Sequence, residues 1–184
     1  MVEIDKEFPK AFPFGVLKTI QWAAPLCFMI TIYAGTYIFG GIGFSLFVAW
    51  NAFIYSLITW FLYLFGIHKR GFELSGGRFV YIPLALMDFF LSLIFFVAFG
   101  IATIICVVCV FESFRYRFGV LVTYLFATGF SMVSGAAFAY FALLLYRACP
   151  NGQLRNLFTL VVEGTTISQK ADVGPPGTTT TMTA

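Results

Sequence analysis

Charge is what this sequence has least of. Of its 184 residues only 10% are Asp, Glu, Lys or Arg, where a soluble domain carries about 25%. That excludes a globule coated for water, because 60% of the chain is hydrophobic and its mean hydropathy is +0.93. Such a composition predicts integration into a membrane. Histidine occurs once, as His68 beside Lys69 and Arg70, without an acidic or cysteine neighbour. Neither a metal site nor a cofactor is therefore expected, and no catalytic constellation is visible. The net charge of +3 is too small and too scattered to suggest nucleic acid as a partner. No Asn-x-Ser/Thr acceptor is present, which fits little exposure outside the cell. The opening MVEIDKEFPK mixes both signs, so no cleavable signal peptide is expected and the first span would direct insertion.

What the chain does have is long uncharged runs. Reading for stretches of about 20 apolar residues gives four spans, near 19–39, 44–67, 82–111 and 118–146. The last two exceed the length needed to cross a hydrocarbon core about 30 Å thick, so tilt or emergence past it is expected. The first two spans have no charge between them, only Gly40, Gly41 and Gly43. A single helix over 19–67 would be more than twice too long, and these permissive residues are where a sharp turn costs least. A helical hairpin with almost no loop is the expectation.

The basic residues orient the bundle. Lys6, Lys10 and Lys18 precede the first span, Lys69, Arg70 and Arg78 lie between the second and third, and Arg147, Arg155 and Lys170 follow the fourth. Only Arg115 and Arg117 fall on the opposite side. Lysine and arginine collect in short cytoplasmic loops, so both termini are expected in the cytoplasm, as an even number of spans requires. The predicted class is all-α, a four-helix transmembrane bundle with very short outer loops. It divides into a cytoplasmic segment 1–13, a membrane domain 14–148 and a tail 149–184. The tail ends in ADVGPPGTTTTMTA, which has nothing to bury and is expected to be disordered.

Several side chains stand out. Asp88 is the one charge inside an apolar run, and an intramembrane charge raises the idea of a proton or cation site. Residues 89–111 carry no charge and suffice to span alone, so Asp88 can instead sit at the interface, near the positive end of its helix dipole. Lys18 lies at a comparable depth, and a structural Lys18–Asp88 ion pair is the expected role. Cys106 and Cys109 form a CxxC, but no second pair stands in an outer loop to relay electrons, and cysteine in an apolar helix is ordinary packing. Cys149 follows the fourth span directly and is a candidate for S-palmitoylation.

In the fourth span Thr123, Ala127, Ser131, Gly135 and Ala139 recur every four residues. This small-xxx-small face lets another helix approach closely, through packing within the bundle or through self-association. Lys69, Arg70, Arg78, Arg147 and Arg155 form a basic rim suited to anionic lipid of the inner leaflet. Phenylalanine occurs 25 times, more than interfacial belts require, which suits contact with rigid, sterol-rich lipid.

Four stretches carry a resemblance: FPFGVLKTIQW entering the first span, FLYLFGIHKR closing the second, IPLALMDFF opening the third, and SGAAFAYFALLLY in the fourth. In that order and topology, over about residues 10–148, the chain resembles the MARVEL-domain family, in its compact MAL-like or chemokine-like-factor-like form. The resemblance implies a non-enzymatic role in organising membranes: vesicle trafficking, membrane apposition or fusion, or junction assembly, in a plasma or vesicle membrane. Lys18 and Asp88 match positions of the motifs, and no catalytic role travels with them. Membrane lipids, further copies of the chain or other membrane proteins are the partners implied. The competing classes are an oligomeric channel or small transporter, and an accessory subunit of a receptor or channel. A channel would need a pore between subunits, since Gln21, Asn51 and Asp88 form no polar stripe.

Overall fold

A computed structural model describes residues 7–66, 72–74, 78–80, 84–149, 160–169 and 181–182. Four long helices dominate them: α1 (Phe14–Ala34), α2 (Ile42–Leu64), α3 (Leu84–Ser113) and α4 (Phe118–Arg147). All four are long and apolar enough to cross a membrane, the pattern of a multi-pass membrane protein. Between α2 and α3, β1 (Phe72–Leu74) pairs antiparallel with β2 (Arg78–Val80). After α4, β3 (Leu160–Glu163), β4 (Thr166–Gln169) and β5 (Thr181–Met182) form a second antiparallel sheet in the order β3-β4-β5. A turn of 3-10 helix, Phe8–Lys10, precedes α1.

Helix is the form such apolar segments must take, because in lipid each backbone N–H and C=O needs a partner within its own segment. Several of the hydroxyls that interrupt the runs turn back on their own helices. Thr31 donates to the Cys27 carbonyl (2.8 Å), Thr128 to that of Tyr124 (2.7 Å) and Ser134 to that of Phe130 (2.8 Å). A polar side chain bonded four residues back leaves no open group facing an apolar neighbour. The usual distribution of a soluble bundle is inverted: Ile94, Ile104 and Phe111 are at least 60% exposed, whereas Lys18, Gln21, Asp88 and Ser131 are fully buried.

The chain forms two compact units, and each of the four helices contributes to both. One unit comprises residues 1–19, 58–91 and 141–184. Its described interior includes Phe8, Phe14, Tyr63, Phe141 and Leu145. The other comprises residues 20–57 and 92–140, with a core around Phe28, Ile32, Ile42, Cys106, Tyr124 and Ala127.

Three features differ from expectation. The connection between the first two helices runs from Gly35 to Gly41 instead of being almost absent, so α1 lies about five residues earlier than the span read from hydropathy. Tyr124 explains the longer connection. Its hydroxyl accepts from the Phe39 N–H (3.1 Å) and donates to the Tyr37 carbonyl (3.1 Å), while Tyr37, Phe39 and Tyr116 pack ring against ring. Of the three turn glycines only Gly41 adopts a positive φ, +86°, and Gly43 lies inside α2.

Short strands also accompany the helices of a chain expected to be all-α. FEL and RFV carry aromatic and β-branched or aliphatic residues on either side of a Ser-Gly-Gly sequence, a composition that favours a hairpin. The third difference lies in the tail, where residues 160–169 pair as a hairpin instead of remaining disordered. Half of its strand residues are β-branched, and Gly164, at φ +57°, opens a two-residue loop of the kind that requires positive φ there.

Candidate functional site

All four helices converge on one buried charge pair, within a single unit of the fold. Lys18, in the second turn of α1, places Nζ 2.7 Å from Asp88 Oδ1 on α3. Neither side chain is reached by solvent. From α2, Thr59 Oγ1 accepts a further hydrogen bond from Lys18 Nζ (3.3 Å), and the Tyr63 hydroxyl donates to Asp88 Oδ2 (2.7 Å). From α4, the Phe141 ring lies 4.6 Å from the ammonium, and the Tyr63 ring lies 5.4 Å from it. A cation over an aromatic face is attracted by the ring quadrupole, the more so where water is excluded.

The local sequence supplies these placements simply. Thr59 and Tyr63 are one helical turn apart and share a face of α2. Asp88 stands in the second turn of α3, where the helix dipole favours a carboxylate. The dipole of α1 works against an ammonium at Lys18, so that charge depends on its contacts with the other helices. Taking two ions out of water costs several kcal/mol each. The carboxylate offsets this with hydrogen bonds to both oxygens, and the ammonium with a carboxylate, a hydroxyl and two ring faces.

Chemically the arrangement is a closed, neutral knot. Its acid and base are spent on each other. Among the described residues no group of three His, Cys, Asp or Glu side chains could hold a metal ion.

The other singled-out residues fall elsewhere. Of the small face of α4, Ala127, Ser131 and Gly135 are buried, and Thr123 and Ala139 are half-buried. Ser131 Oγ lies 2.9 Å from Thr103 Oγ1 and donates to the Phe99 carbonyl at 3.3 Å. A Cβ on Gly135 would stand 3.4 Å from Phe99 Cβ, and one on Gly35 would stand 2.9 Å from Thr123 Cγ2. The face is thus occupied from within the chain, by α3 and by the connection after α1.

Cys149, a candidate for acylation, is buried, and its thiol donates to the Leu145 carbonyl at 3.4 Å. Burial raises its pKa above the ordinary value. Cys106 and Cys109 are buried free thiols. Of the basic rim, Arg147 is exposed at the end of α4, and the Arg78 backbone opens β2. The Arg78 side chain and Lys69, Arg70 and Arg155 lie outside the described residues.

Sequence reasoning missed Thr59, Tyr63 and Phe141 as parts of the site. Their one signal is the i, i+4 spacing of Thr59 and Tyr63 in an otherwise apolar helix. Gln21, weighed in the sequence only as part of a polar stripe, is fully buried in the other unit with both amide atoms unpaired among the described residues. No family model, curated protein or solved structure matches this chain.

Proposed function

We propose that this chain is a non-enzymatic, membrane-organising tetraspan protein of MARVEL type. It acts in vesicle trafficking, membrane apposition or fusion, or junction assembly, with both termini in the cytoplasm of a plasma-membrane or vesicle protein. The observation that carries the reading is the mutual neutralisation of Lys18 and Asp88 by contacts from all four helices. An intramembrane charge held open points to transport; one closed inside a knot serves to lock helices in register.

The apolar exterior supports the same reading. Leu93, Ile94, Val97, Ala98 and Ile101 of α3 line a shallow groove with Phe44, and such surfaces suit acyl chains or sterol. At about 1.5 Å per residue, α3 and α4 would each extend roughly 45 Å, longer than a hydrocarbon core of ~30 Å. Hydrophobic matching would then favour thick, sterol-rich bilayer. Arg147, exposed at the end of α4, would lie beside anionic headgroups. Lateral clustering would use the exposed apolar faces, since the small face of α4 is filled.

The test is native mass spectrometry of the protein released from nanodiscs of its source membrane. Monomers or dimers retaining sterol or sphingolipid are expected. A ring of one discrete stoichiometry around a continuous wet lumen would point to a channel instead, and a fixed complex with a different protein would point to an accessory subunit.

A further inference from the structure

Helix α1 begins with only part of its first turn capped locally: the Ala11 carbonyl accepts from the Val16 N–H at 3.1 Å, and no neighbour serves the Phe14 and Gly15 amides. The residues before it, Ala11, Phe12 and Pro13, have no side-chain oxygen to accept from the free N–H groups of a first helical turn. For those two amides the acceptor comes from far along the chain: the Gly164 carbonyl receives the Phe14 N–H at 3.0 Å and the Gly15 N–H at 3.4 Å. Gly164 lies at the tip of the β3–β4 hairpin and is buried.

The contact is made by backbone against backbone, and only glycine permits it. A Cβ on Gly164 would stand 2.8 Å from Ala11 Cβ, at a φ of +57° that side chains disfavour. A Cβ on Gly15 would stand 1.7 Å from the Phe8 carbonyl oxygen. Phe8 is 3% exposed, and its ring stacks on Tyr63 at 5.5 Å and 12°. Tyr63 in turn donates to Asp88 Oδ2. A continuous line of contacts therefore runs from the hairpin tip through Phe8 and Tyr63 to the ion pair, and Lys18 lies one helical turn beyond the capped amides. Every residue of that line belongs to one unit.

We propose that the C-terminal hairpin is a lid on the buried Lys18–Asp88 pair. Docked, it caps α1 and holds Phe8 over Tyr63, so that water is kept from the charges. Undocked, it frees the Phe14 and Gly15 amides, loosens Phe8 and lets water reach Lys18 and Asp88. The tail thereby controls the hydration of the only buried ion pair among the described residues. The lid does not depend on the MARVEL-type reading.

The experiment follows the full-length chain in nanodiscs by two rates. One is amide hydrogen exchange at Phe14 and Gly15; the other is acetylation of the Lys18 amine by a water-soluble N-hydroxysuccinimide ester, resolved by peptide mass spectrometry. In the unaltered chain, both rates should be slow and should rise together as mild denaturant is added, because one opening governs both. Gly164→Val and, separately, Val162→Asp, which alters a 1% exposed hairpin residue, should each raise both rates. An increase of at least about tenfold is expected, since undocking breaks two backbone hydrogen bonds. Exchange in 124–140 should stay as it was, and Thr165→Ala, at an exposed position, should change neither rate. Lys18 acetylated as fast as exposed Lys10 in the unaltered chain would overturn the lid. So would amide and amine rates that respond differently to denaturant, a comparison that holds even if both variants fail to fold.

Discussion

Lys18 and Asp88 lie seventy positions apart in sequence and 2.7 Å apart in space, each with no solvent contact. A pair in that situation is asymmetric in its consequences. Removing one partner leaves a buried charge unpaired, which costs about 3–5 kcal/mol, whereas replacing both with apolar groups of similar volume is often neutral or better. Lys18→Met and Asp88→Leu should each lower unfolding stability in mixed micelles by that amount. The double variant should recover most of the loss. If it is as unstable as the two losses combined, the pair does not act as a unit and the knot is wrong.

The legibility of this fold follows from where information is concentrated. Four helices could be read directly, because uncharged runs of that length have few other forms. The ion pair could be anticipated because Lys18 and Asp88 are isolated charges at matching depth. Thr59 and Tyr63 could not be singled out, since hydroxyls are scattered through every span and only tertiary packing selects two of them. The Gly35–Gly41 connection escapes a sequence reading for a related reason. Tyr37, Ile38 and Phe39 look like more helix to a hydropathy scan, and the hydroxyl that holds them in a loop is on Tyr124, far away in sequence. The hairpin at 160–169 is masked in the sequence by the Pro, Gly and Thr composition of the residues after it.

Periodicity alone did not tell whether the small face of α4 meets its own chain or another. With Ser131 bonded to Thr103 and Gly135 set against Phe99, intrachain packing is the use the structure makes of it. Ser131→Leu and Gly135→Leu should each cost about 1–3 kcal/mol through overpacking. Ser131→Ala should cost about 0.6 kcal/mol, the average for an interhelical hydrogen bond in a membrane protein. Crosslinking between copies should not change. Loss of crosslinking at unchanged stability would show that the face serves self-association.

Cys149 gives a pH dependence with a definite sign. Its thiol is buried and its pKa is raised, so the folded state holds the proton more tightly than the unfolded chain does. Its contribution to stability is then complete below the unfolded thiol's pKa, near 8.5, and declines as pH rises through the higher folded value. Iodoacetamide should alkylate Cys149 several-fold more slowly at pH 8 in the folded protein than in denaturant, because the thiolate is the nucleophile. Equal rates would mean that the end of α4 is open and the cysteine accessible to an acyltransferase.

Gln21 poses the opposite problem to Lys18. Both are fully buried on α1, but the Gln21 amide has no partner among the described residues. A buried polar group in that condition costs about 1–3 kcal/mol, and methionine has similar length and volume without the amide. Gln21→Met should therefore raise unfolding stability in micelles by about that much. A fall in stability would mean that the amide is satisfied in the membrane by a water or a lipid headgroup. Comparing the two proteins in detergents whose headgroups can and cannot hydrogen-bond separates these sources: a penalty present in both identifies water, and one present only with hydrogen-bonding headgroups identifies a headgroup.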